Sequence, residues 1–144
     1  NWDAIKRTEK DESILNSIPR ALPALLQAQK IQKKVSRVGF DWPDPKGAWD
    51  KVREEWAEFE EAVSKKEPEH MHEEAGDLLF SMVNGLRKHG IDCEEALRHC
   101  NKKFTARFED MEQQAKDNNQ DITKLSLEEQ EALWLMAKHR EQQG

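Results

Sequence analysis

Two acidic clusters lie symmetrically about one turn, and this symmetry constrains the fold more than any other feature of the chain. The first reads Glu54-Glu55-Trp56-Ala57-Glu58, the second Glu73-Glu74-Ala75-Gly76-Asp77. Residues three apart share a helix face, so Glu55 stands beside Glu58, and Glu74 beside Asp77. Between them Lys65-Lys66-Glu67-Pro68 reads as a turn, with Pro68 near the start of a new helix. Glu58 and Glu74 are equally far from position 66, and so are Glu55 and Asp77. An antiparallel hairpin turning there brings Glu58 level with Glu74, and Glu55 level with Asp77.

The rest of the chain supports an all-α bundle built around that hairpin. Leu22, Leu25, Leu26, Ile31, Val35 and Val38 recur at helical spacing, and Gly39 is a stop. Residues 39–47 form a Pro- and Gly-containing loop. Trp49, Val52, Trp56, Phe59 and Val63 make one apolar stripe on the helix 48–65. The helix 69–89 is apolar around most of its circumference and is expected to be the most buried. Asp92 with Glu95, and Ser126 with Glu129, resemble capping boxes opening the last two helices. No strand alternation, repeat or low-complexity tract occurs. Residues 1–17 are a polar N-terminal segment, which leaves 18–144 as one catalytic-sized helical domain. A start at Asn1 rather than Met points to a trimmed chain or the tail part of a longer protein.

Four carboxylates converging between two helices repel one another, and some must take up a proton unless a cation intervenes. A hard divalent ion removes the conflict, because Mg²⁺ takes oxygen ligands and shares its shell with substrate phosphates. A lone Glu-x-x-Glu in a chain that is 36% charged is usually a solvated face. Here Glu74 and Asp77 sit on the most apolar helix, with Ser81 and Asn84 continuing the polar stripe, as expected of a lined cavity.

A net charge of −6 argues against duplex nucleic acid as partner but leaves room for a single nucleotide. No apolar run approaches the roughly 20 residues of a membrane span. Cys93 and Cys100, the only cysteines, lie roughly 10 Å apart on one helix, too far for a disulfide. A cytoplasmic setting is expected. Arg107, beside the apolar positions Cys100 and Phe104, either forks onto a carboxylate or phosphate or snorkels at a bundle edge. Lys103 lies one step further round. Trp134 and Lys138 share a face of the last helix, as a base-and-phosphate pair or as a core Trp with a surface Lys. Lys30, Lys33 and Lys34 can hold phosphate or simply face water. Glu67 and His70 form an isolated Glu-x-x-His, where a di-iron bundle needs two.

KVREEWAEFEEA followed by HEEAGDLLFSMVN resembles the MazG family of nucleoside triphosphate pyrophosphohydrolases. IPRALPALLQAQKIQKKVSRVGFDW, NKKFTARFEDME and the Trp134/Lys138 pair extend the likeness to the second domain of two-domain MazG proteins. The resemblance implies an all-α fold, an intertwined homodimer and use of Mg²⁺, with Mn²⁺ able to substitute. It implies hydrolysis of NTPs and dNTPs at the α–β bond, with Glu55, Glu58, Glu74 and Asp77 as metal ligands and Glu55 and Glu58 closest to the chemistry. It also implies that Lys103, Arg107, Trp134 and Lys138 contact substrate. Two rivals stand beside it: a non-catalytic helical interaction module, and the same fold specialised for one nucleotide, such as deoxyuridine triphosphate or a guanosine alarmone.

Overall fold

The structure, a computed structural model, describes residues 12–143; the part of the polar N-terminal segment before residue 12 lies outside them. Among the described residues all regular structure is helical. The helices are α1 (Ala24–Ser36), α2 (Pro45–Ser64), α3 (Pro68–Arg87), α4 (Cys93–Asp117) and α5 (Leu127–Gln143), with short 3-10 turns at Ile14–Ser17 and Ile122–Lys124. They gather into two compact units, one ending at Glu94 and the other starting at Glu95.

In the first unit α1 stops where the sequence says it should. Gly39 takes φ 92°, and Phe40 N–H donates to Val35 O at 3.0 Å, which closes the carbonyl end of the helix. α2 begins at Pro45, earlier than position 48, because Asp44 caps it by accepting from Lys46 N–H at 2.9 Å. Pro45 then supplies a pre-set φ at the first helical position. Only residues 65–67 separate α2 from α3, with Lys66 at φ 55°. The two helices pack against each other, and α1 packs on α3.

The most buried apolar positions of the hairpin are small residues. Ala48 and Ala62 of α2 and Val83 and Gly85 of α3 are buried. The large apolar residues remain half exposed: Trp56 and Val63 on α2, Leu79, Phe80 and Met82 on α3. As expected, α3 carries more buried positions than any other helix among the described residues, though two of them are polar. Its buried positions are Glu74, Ser81, Val83 and Gly85.

In the second unit Met111 and Ala115 of α4 meet Leu133 and Ala137 of α5, with Ile122, Leu125 and Trp134 packed against them. The Ser126 box forms as expected: Glu129 N–H donates to Ser126 Oγ at 3.1 Å, and Ser126 N–H to Glu129 Oε1 at 3.0 Å. Asp110 on α4 pairs with Arg140 on α5 at 2.7 Å.

Candidate active site

The hairpin brings the acidic clusters together. Carboxylate oxygens of Glu55, Glu74 and Asp77 lie within 4.8 Å of one another, as do those of Glu54, Glu55 and Glu58. Glu55 is the member common to both groups, so the arrangement is two overlapping trios rather than one foursome, and it includes Glu54. Glu55 is 6% exposed and Glu74 9%. The Glu55 charge, then burial and the Glu74 charge, push the Glu58 carboxyl up from its ordinary range.

Each buried glutamate has one oxygen satisfied and one not. Lys51 Nζ lies 3.0 Å from Glu55 Oε1 and 3.3 Å from Glu54 Oε1. The Glu55 contact, against burial and with help from Glu54, raises the Lys51 pKa. His70 Nε2 lies 3.2 Å from Glu74 Oε1, and its Nδ1 3.3 Å from Glu67 Oε2. Burial opposes charge on this ring, but Glu67 and Glu74 outweigh it and lift its pKa. Glu55 Oε2 and Glu74 Oε2 are buried without a hydrogen-bond partner. A desolvated carboxylate oxygen left alone is costly, so a native site keeps one only where something else meets it. All-oxygen donors at this spacing fit a hard divalent cation.

A cavity of about 560 Å³ opens beside this cluster, with Lys51, Glu55 and Asp77 in its wall. Its apolar lining comes from Ile31, Val35, Phe40, Trp42 and Phe80. Gln32, 3% exposed, lines it too; its Nε2 donates to Phe80 O at 2.9 Å, and its Oε1 has no partner. Asn84 Oδ1 accepts from Arg87 Nε at 3.0 Å and Nη2 at 2.8 Å. The loop after α1 closes one wall. Arg87 Nη2 donates to Asp41 Oδ1 at 2.6 Å, while Lys88 Nζ donates to Asp41 Oδ2 at 3.1 Å and to Trp42 O at 2.6 Å. Burial alone would raise the Asp41 carboxyl, but Arg87 and Lys88 hold it below the usual range.

The other four candidates lie in the second unit. Arg107 stacks over the Trp134 ring, 5.3 Å from its centroid. Phe104 flanks the same indole at 5.2 Å between centroids. Lys103 and Lys138 are exposed. The fork of Arg107 is taken by Glu141. Lys30, Lys33 and Lys34 line a separate groove of about 450 Å³ with Arg37.

Sequence reasoning missed several of these groups. Lys51 goes unread and His70 is weighed only against Glu67, yet each stands four residues before the buried glutamate it meets, a spacing legible in the sequence. Gln32, the Asp41 clasp and Glu141 join residues too distant in the chain for any local pattern to announce.

Comparison with known proteins adds an independent line. The family described as "MazG nucleotide pyrophosphohydrolase domain" matches residues 45–111. That stretch holds the carboxylate cluster, Lys103 and Arg107; Trp134 and Lys138 lie beyond it. The chain is 41% identical over 140 residues to the nucleoside triphosphate pyrophosphohydrolase/pyrophosphatase MazG of Thermotoga maritima, covering 95% of this chain and 54% of that protein. It is 40% identical over 146 residues to the nucleoside triphosphate pyrophosphohydrolase of Escherichia coli strain K12, covering 97% and 56%. It is also 44% identical over 148 residues to the uncharacterized protein YabN of Bacillus subtilis, covering 100% of this chain and 30% of that one. The chain thus spans about half the length of the first two relatives.

Proposed function

We propose, from the match of residues 45–111 to the MazG nucleotide pyrophosphohydrolase domain and the relatives at 40–41% identity, that the chain belongs to the MazG family and hydrolyses NTPs and dNTPs at the α–β bond, giving nucleoside monophosphate and pyrophosphate. The observation that carries this reading is the pair of unpartnered buried oxygens on Glu55 and Glu74, beside a cavity of nucleoside size.

Glu55, Glu58, Glu74 and Asp77 would hold Mg²⁺, with Mn²⁺ able to substitute. Such an ion, when bound, lowers the pKa of coordinated water and offsets charge growing on the phosphate. Lys51, already poised over Glu55, turns to a phosphate oxygen. A carboxylate of the 54–58 cluster accepts the proton of the attacking water. Phe40 and Trp42 flank the nucleoside, and Gln32 Oε1 accepts from a base N–H. In the second unit Lys103, Arg107 and Lys138 bind phosphate, and Trp134 offers a stacking face.

We further propose a homodimer. Trp56, Val63, Leu79 and Met82 leave half-exposed apolar side chains on the hairpin that a second copy would cover. Sedimentation of a 16.8 kDa monomer alone would sink this. No helix among the described residues is long and apolar enough to cross a membrane, and with Cys93 and Cys100 free we place the activity in the cytoplasm.

The deciding experiment is pyrophosphate release from a panel of NTPs and dNTPs, with and without Mg²⁺, for the native chain, Glu58→Ala and Asp77→Ala. Mg²⁺-dependent release lost in both variants supports the reading, and the panel ranks the bases to separate a general from a specialised enzyme. No release from any nucleotide overturns it in favour of an interaction module.

A further inference from the structure

We propose that Glu141 occupies the phosphate seat of Arg107, a carboxylate latch that incoming nucleotide must displace, so that this acidic residue on α5 sets the affinity for substrate. The inference rests on reading Arg107 as a phosphate ligand.

The geometry is specific. Arg107 Nε donates to Glu141 Oε2 at 2.8 Å, and Nη2 stands 2.7 Å from the same oxygen. The Nε/Nη2 edge is the side of a guanidinium that forks onto carboxylate or phosphate oxygens, so one anion excludes the other. The two partners differ in freedom. The Arg107 side chain is 14% exposed and lies against the Trp134 ring, whereas that of Glu141 is 41% exposed near the end of its helix. The cation is therefore fixed, and the carboxylate can swing into water at little cost. A phosphate brings more negative charge to the same edge and displaces it.

The latch is not what holds α4 to α5. The Met111, Ala115, Leu133 and Ala137 core and the Asp110–Arg140 pair already join them. Asp110→Asn consequently serves as a control that removes an ion pair between the same helices without touching Arg107.

Steady-state turnover and calorimetric binding of inorganic pyrophosphate, both on the whole protein, test the proposal. Glu141→Gln is expected to lower KM and tighten pyrophosphate binding by about two- to fivefold, the competition expected of a partly exposed ion pair, while moving kcat less. Asp110→Asn is expected to leave KM unchanged. In an Arg107→Ala background, Glu141→Gln is expected to have no effect on either readout. An unchanged or raised KM in Glu141→Gln, with Arg107→Ala still weakening binding, overturns the latch alone. If Arg107→Ala leaves both readouts unchanged, the phosphate role of Arg107 fails, and the latch falls with it.

Discussion

Lys51 Nζ stands 3.0 Å from Glu55 Oε1, one turn earlier on the same helix, and it satisfies only half of that carboxylate. Glu55 Oε2 is buried with no partner. The pair thus leaves one oxygen of a buried carboxylate against an internal cation and the other without a partner. Glu55→Gln keeps the shape and removes the charge. Mg²⁺-dependent pyrophosphate release is expected to fall about 100-fold or more. Mg²⁺ titration followed by the fluorescence of neighbouring Trp56 is expected to lose its response. Retained turnover would dismiss Glu55 as a ligand.

The same crowding sets a pH dependence. Glu58 has its folded-state pKa raised above the ordinary 4.5, chiefly by the Glu55 charge. A raised pKa means that the folded chain holds its proton more tightly than the unfolded one. Stability from this group is full below the ordinary value and is lost as pH rises through the raised one. The metal-free chain is therefore expected to lose stability over that window. Added Mg²⁺, or Glu58→Gln, is expected to flatten the loss. Denaturation midpoints measured across the window, with and without Mg²⁺, check this; a midpoint rising with pH in the metal-free native chain, and not in Glu58→Gln, contradicts it.

Asp41 has the opposite sign. Arg87 and Lys88 lower its pKa against the pull of burial. Its contribution is present above the ordinary 3.8 and lost as pH falls through the lowered value. Asp41→Asn leaves two largely buried cations with a weaker acceptor and is expected to cost about 2 kcal/mol in chemical denaturation. Because the clasp holds the loop that walls the cavity, KM is expected to rise more than kcat falls. A variant as stable as the native chain with unchanged KM would show that the clasp does neither.

Gly85 marks where α3 meets an indole. A Cβ at that position would come 2.9 Å from Trp49 Cζ3, and the Trp49 ring is held by its Nε1–H donating to His89 Nε2 at 2.9 Å. Gly85→Ala is expected to destabilise by about 1–3 kcal/mol through overpacking, despite the better helix propensity of alanine. A thermal melt unchanged or raised by the substitution would show that Trp49 yields freely.

Much of this protein was determined by its sequence alone. Helix periodicity, Gly39 as a stop, the Ser126–Glu129 box and the turn at Lys66 are local signals, because each depends on residues within a turn or two of one another. The placing of Glu55, Glu74 and Asp77 in one patch was legible as well, since a short turn between two helices converts sequence distance into register. Tertiary structure decided the rest. Which oxygens of Glu55 and Glu74 go unpartnered depends on burial by both helices of the hairpin. Asp41 finds Arg87, Gln32 finds Phe80 O and Arg107 finds Glu141 across 46, 48 and 34 residues. The apolar stripe of α2 and α3 shows the same division: periodicity fixes which residues share a face, but the packing of the two helices decides that Ala48, Ala62 and Val83 are buried while Trp56, Leu79 and Met82 stay half exposed.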